Sequence, residues 1–102
     1  MDVMDRIISI IYKTIDETNE FLAPEKQLEK SPDIILFGQS GHLDSMGLVN
    51  FIITLEEMLK EEFSINIVLA DERAMSQKNS PFRTVSSFAD YILILLEESK
   101  NG

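Results

Sequence analysis

The sequence predicts a small all-α bundle of three main helices and one short helix. Apolar residues recur at helical spacing in three separate stretches, the strand-like alternation is weak and short, and 102 residues suffice for one modest core. A single domain over residues 1–102, with its core at about residues 3–98, follows from that length and from the lack of internal repeats or low-complexity segments.

In the first stretch, Val3 to Asn19, Met4, Ile7, Ile8, Ile11 and Ile15 share one helical face, with Asp5, Lys13, Asp16 and Glu17 elsewhere. A core helix explains it fully. Residues 20–44 read as a long connection, because Pro24, Pro32, Gly38 and Gly41 interrupt it and residues before proline are biased away from helix. A connection of that length should carry packing or function. Ile34, Ile35, Leu36 and Phe37 are expected to pin it to the core; a short strand fits there but has no obvious partner strand. Residues 45–62 read as the second helix. Phe63, Ile65 and Ile67 then alternate weakly, a short helix is expected from Asp71 to Met75, and "SQKNSPFRT" reads as a loop. Thr84 is expected to cap the last helix, which turns Val85, Phe88, Ala89, Ile92, Leu95 and Leu96 inward.

Composition narrows the functional classes. A hydrophobic share of 44% with 26% charged residues belongs to a folded chain, not a disordered one. Eighteen acids against nine bases give a formal charge of −9. Such a surface repels phosphate backbones and anionic lipid, so neither nucleic acid nor a membrane is an expected partner, whereas basic protein patches are attracted. With no cysteine and one histidine there is no disulfide, no thiolate metal site and no His-rich zinc site, and no metal is expected. The opening "MDVMDRIISIIYK" has Asp2 and Asp5 where a signal peptide would be positive, and no run approaches the length of a membrane span. A cytoplasmic monomer is expected.

The stretch "FGQSGHLDSMGLVNFIITLEEM", residues 37–58, carries the chemistry. Stepping about 100° per residue from Ser45, Leu48, Phe51, Ile52, Leu55, Met58 and Leu59 fall in one broad arc, while Met46, Val49 and Ile53 form a second apolar arc bordered by Glu56, Glu57 and Lys60. A helix with two apolar faces is either central to its core or meets a partner, and complete burial of one helix is difficult in so small a protein. The second arc therefore reads as a docking face, with the glutamates orienting a basic partner.

Ser45 admits three readings. As a catalytic nucleophile it would depend on His42, yet adjacent Asp44 and Ser45 side chains diverge, and Leu43 stands where a G-x-S-x-G elbow needs glycine. As a helix cap, either Asp44 or Ser45 could accept from first-turn N–H groups. As an attachment point, Ser45 would hold a phosphodiester at a helix N-terminus, where free N–H groups and the macrodipole favour negative charge, and Gly47 would leave room in the first turn.

The residues "LDSMGLVNFIITLEE" resemble the acyl carrier protein family of phosphopantetheine-binding domains, whose signature is Asp-Ser-Leu at the start of the second helix. Asp44-Ser45-Met46 matches with Met for Leu, and Val49, Ile53 and Leu55-Glu56-Glu57 fall at the family spacings. Similarity extends through the first helix, the long connection, "FSINI" and "TVSSFADYILILLEE". The resemblance implies a four-helix carrier without catalytic residues of its own. A phosphopantetheinyl transferase would load 4′-phosphopantetheine from coenzyme A onto Ser45, using Mg²⁺, and the arm's thiol would hold acyl groups as thioesters. Partner recognition maps to Asp44, Met46, Val49, Ile53, Glu56 and Glu57, with acyl-loading and acyl-processing enzymes that bear basic docking patches as partners. Asn50 stands where many fatty-acid carriers have glutamate, the second helix runs about one turn longer before Phe63, and His42 sits where small residues are frequent. Those departures point to a specialised fatty-acid, lipid or secondary-metabolite pathway. Alternatives are an aminoacyl or peptidyl carrier and a helical adaptor without a prosthetic group; a serine hydrolase is more distant.

Overall fold

A computed structural model of the protein describes residues 2–37, 41–69 and 81–101. Among these the fold is all-helical: α1, Val3–Asn19; α2, Ser45–Phe63; and α3, Val85–Asn101, with one 3-10 turn at Pro24–Lys26 and no strand. The short helix expected at Asp71–Met75 and residues 76–80 of the expected loop lie outside the described residues.

Asp2 starts α1 by accepting the Asp5 N–H at 2.8 Å. The helix buries Ile7, Ile10, Ile11, Thr14 and Ile15, and packs against both α2 and α3. Contact on two sides moves the buried stripe toward Ile10 and Thr14, so Met4 and Ile8, expected to face inward, are only partly buried. The buried Thr14 hydroxyl donates to the Ile10 carbonyl at 3.0 Å, which removes the cost of an unpaired polar group.

From α2 come Leu48, Phe51, Ile52, Leu55 and Leu59, and from α3 Val85, Phe88, Ala89, Ile92 and Leu96. Leu95, expected inward, is half-buried. Phe88 lies at the centre of an aromatic row: its ring is 5.8 Å from Phe51 and 5.1 Å from Phe82, which meets Tyr91 edge-on at 6.2 Å. Each pair adds about 0.5–1.5 kcal/mol beyond its buried area.

Thr84 caps α3, as its sequence position predicts. Its Oγ1 accepts the Ser87 N–H at 3.1 Å, and Ser87 Oγ in return accepts the Thr84 N–H at 3.0 Å. This is the reciprocal logic of a capping box, with a serine hydroxyl in place of the usual carboxylate.

The connection between α1 and α2 is tied down at several points. Asn19 brackets the Leu28 backbone, with Oδ1 accepting its N–H at 2.7 Å and Nδ2 donating to its carbonyl at 2.9 Å. Ile35 forms an isolated antiparallel bridge with Thr84, and the Leu36 N–H donates to the Arg83 carbonyl at 2.6 Å. The pairing partner that the sequence left unidentified is thus the turn before α3, not a strand. Leu36 is fully buried, and its carbonyl accepts the Leu43 N–H at 2.9 Å, so the chain reaches Asp44 already anchored.

At its far end α2 stops at Ser64, which adopts left-handed φ 55° and ψ 32° while its N–H donates to the Lys60 carbonyl. Residues 65–69 follow without regular structure, so the alternation of Phe63, Ile65 and Ile67 marks a packed tail and not a strand. Arg6 joins this end to α1: its guanidinium stacks over Phe63 at 4.5 Å and pairs with Glu62 at 3.1 Å. A serine in the left-handed region costs about 1–2 kcal/mol relative to glycine, partly offset by the unfolded-state entropy that glycine adds. Ser64→Gly should therefore raise the unfolding free energy by about 0.5 kcal/mol, seen as a higher denaturation midpoint at unchanged m-value.

Candidate functional site

The site begins where the anchored connection turns into α2. Asp44 is extended, at φ −83° and ψ −176°, and its Oδ1 accepts the Gly47 N–H at 2.7 Å. Its carbonyl accepts the Leu48 N–H at 2.9 Å, the first bond of the helical ladder. Asp44 is therefore the cap, which decides between the two candidates the sequence offered. Ser45 is the first helical residue, is exposed, and performs no capping. Among the described residues no hydrogen bond joins its hydroxyl to His42, whose backbone N–H donates to the Ile35 carbonyl.

Gly47 has a tighter role than the open space the sequence suggested. A Cβ there would lie 3.2 Å from Asp44 Oδ1 and 3.3 Å from Leu43 Cδ2, so glycine lets the cap close over buried Leu43.

The second apolar arc of α2 is on the surface. Met46 is 69% exposed, Val49 49% and Ile53 50%, in a row running away from Ser45. The acids bordering it divide by role. Glu57 is exposed, whereas Glu56 is half-buried and its Oε2 accepts the Leu69 N–H at 2.7 Å, holding the 64–69 segment against the helix. Val68 of that segment is exposed and lines a depression with Ile53, Glu57 and Lys60, which extends the apolar surface beyond α2. Of the six residues expected to recognise a partner, Met46, Val49, Ile53, Glu56 and Glu57 lie on one side of α2, with Glu56 also committed internally, while Asp44 stands before the helix as its cap.

On the opposite flank of the row lies a cleft of about 480 Å³ between α2 and the end of α1, lined by Phe21, Leu22, Leu43, Ile53 and polar residues that include Glu17 and Asn50. The sequence singled out Ile53 as part of the second apolar arc and Asn50 as a departure from the family pattern, but not Phe21 or Leu22, nor the cleft they form together. A signal was present in the small or polar run Gly47, Asn50 and Thr54, which shares one edge of the helical wheel and is unfit for tight apolar packing.

No family model, curated protein or solved structure matches the chain. Among the described residues no group of three acidic or histidine side chains is placed to hold a metal ion, and no helix is long and apolar enough to cross a membrane.

Asp44→Ala should lower the unfolding free energy by about 1 kcal/mol through loss of the cap, with Asp44→Asn retaining most of it. Ser45→Ala should stay within about 0.5 kcal/mol of the native chain. Equilibrium denaturation of the three variants distinguishes the cap from its neighbour.

Proposed function

We propose that the protein is a non-enzymatic carrier that holds acyl intermediates on a 4′-phosphopantetheine arm at Ser45 and presents them to partner enzymes. The observation that carries this reading is the Ser45 hydroxyl itself: exposed, free of capping duty, at the N-terminus of α2, and beside an exposed apolar row with an acidic border. The resemblance of "LDSMGLVNFIITLEE" to acyl carrier proteins supports it, and so does the all-helical fold.

The residues fit the group. Asp44 Oδ1 is engaged by the Gly47 N–H, and no hydrogen bond among the described residues uses the N–H groups of Ser45 or Met46. A phosphodiester on Ser45 would meet those donors and the positive end of the helix dipole. Loading forms a bond from Ser45 Oγ to the coenzyme A phosphorus next to pantetheine. It breaks the diphosphate link, releases the adenosine bisphosphate and frees the serine proton. The arm supplies a thiol for thioester formation. The chain supplies the tether point, which raises the effective concentration of cargo near a docked enzyme, and the surface on which that enzyme lands. Met46, Val49 and Ile53 would provide adaptable apolar contact, and Glu57 long-range attraction toward a basic patch. The departures at Asn50 and His42 favour a specialised pathway.

Incubated with coenzyme A, Mg²⁺ and phosphopantetheinyl transferases, the native chain should gain the mass of one phosphopantetheine, and Ser45→Ala should gain none while folding normally. Absence of any gain with several transferases would remove the carrier reading and leave an adaptor.

Glu57→Lys should slow loading by about tenfold at low salt and flatten its dependence on ionic strength. Glu57 is the better choice for this test because Glu56→Lys would also release the Leu69 backbone. Loading rates that do not change would show that the docking face lies elsewhere.

A further inference from the structure

Phe21 is 87% exposed, yet it is not on a loose tip. Its N–H continues the helical turn to the Thr18 carbonyl at 3.0 Å, and the Leu22 carbonyl accepts from Gln27 Nε2. Asn19 closes the loop by bracketing Leu28. A large aromatic ring is therefore held in water by a tied piece of backbone. Single exposed apolar residues are ordinary, but Phe21 forms one wall of the α1–α2 cleft whose far wall is Ile53. Ile53 also belongs to the exposed row with Val49 and Met46, so one apolar surface runs from the end of α1, across a depression, onto α2.

The charge on and beside the cleft is mainly acidic, with Lys60 of the adjoining depression the nearby base. Among the described residues Glu17 is the one charged residue lining the cleft, Glu20 lies next to Phe21 in the chain, and Glu57 follows Ile53 by one helical turn. Neither of the two ion pairs found among the described residues involves them. A deep apolar cavity would suit a hydrocarbon chain; an open cleft between two helices, with Glu17 on its wall and Glu20 and Glu57 close by in the chain, suits an amphipathic cation.

We propose that the α1–α2 cleft is a docking groove for a basic amphipathic helix of a partner protein. Apolar side chains of that helix sit between Phe21 and Ile53, and its Lys or Arg residues face Glu17, Glu20 and Glu57. The contact surface then includes the end of α1 as well as α2. The inference does not depend on whether Ser45 carries an arm.

The test uses the full ¹⁵N-labelled chain and two synthetic peptides of about four helical turns, one built from Leu and Lys at amphipathic spacing and one with Glu replacing every Lys. The Leu/Lys peptide should shift amides in residues 17–22 and 47–54, and the Leu/Glu peptide should shift none. Phe21→Ser and the double variant Glu17→Lys/Glu57→Lys should each weaken Leu/Lys binding about tenfold or more. Shifts confined to another face, or an affinity in Phe21→Ser within about twofold of the native chain, would overturn the proposal. So would finding that an octanoyl-phosphopantetheine group loaded on Ser45 fills the cleft and blocks the peptide, which would assign it to cargo. Failure of the native chain to accept an arm leaves peptide binding untouched, so the two readings fail separately.

Discussion

Asp44 fixes where α2 begins, because its Oδ1 holds the Gly47 N–H at 2.7 Å while its carbonyl starts the ladder at Leu48. The rest of the surface depends on that register. Starting the helix one residue later would rotate every side chain by about 100° relative to the connection, sending Met46 and Ile53 toward different neighbours. The cap is in turn held by its surroundings. Leu43 is buried beneath Gly47, its N–H is tied to Leu36, and Leu36 is tied to the turn that opens α3. The exposed serine is thus placed by a chain of contacts that runs from the start of one helix to the start of another.

That dependence also explains the division of labour between adjacent residues. One polar side chain is sufficient to cap a helix, and Asp44 does so with a charge-assisted bond. Among the described residues no hydrogen bond engages the Ser45 side chain, which lies exposed. Had Ser45 been the cap, its oxygen would point back at the backbone and be a poor attachment point. The -Asp-Ser- order therefore has a mechanical meaning independent of any family: the first residue satisfies the backbone and the second is left available.

Much of this was legible in the sequence because helices announce themselves through spacing. The bounds of α1 and the apolar face of α3 followed from isoleucine, leucine and phenylalanine periodicity, and the two faces of α2 separated on a simple wheel. The rest was hidden because it rests on backbone groups or distant residues. Ile35 pairs with the single residue Thr84, which no strand pattern foretells. Glu56 bonds a main-chain N–H thirteen residues on, so the wheel could place it beside the exposed apolar row but could not show this internal task. Phe21 looked like part of an undifferentiated connection. Its fixed exposure comes from Asn19 and Gln27, whose side chains bond backbone in a pattern that composition does not encode.

The acids of α2 show which features folding alone accounts for. Glu56, Glu57, Glu61 and Glu62 occupy the C-terminal half of a helix whose negative dipole end favours cations, and each acid in the last turn costs about 0.3–1 kcal/mol. Two of the four have a local compensation. Glu62 pairs with Arg6 and Glu56 holds the Leu69 N–H, whereas Glu61 and Glu57 only line depressions that also hold Lys13 and Lys60 respectively. Lys60 lies four residues from Glu56 and three from Glu57, and one lysine cannot neutralise both. Glu57 takes part in neither ion pair among the described residues, and it lies one turn from Ile53, where the exposed row meets both flanking depressions. An uncompensated carboxylate beside three half-exposed apolar side chains is a poor arrangement for a lone protein. It becomes a favourable one when a cation and an apolar side chain arrive together, since the same desolvation that strengthens the charge pair also buries the row.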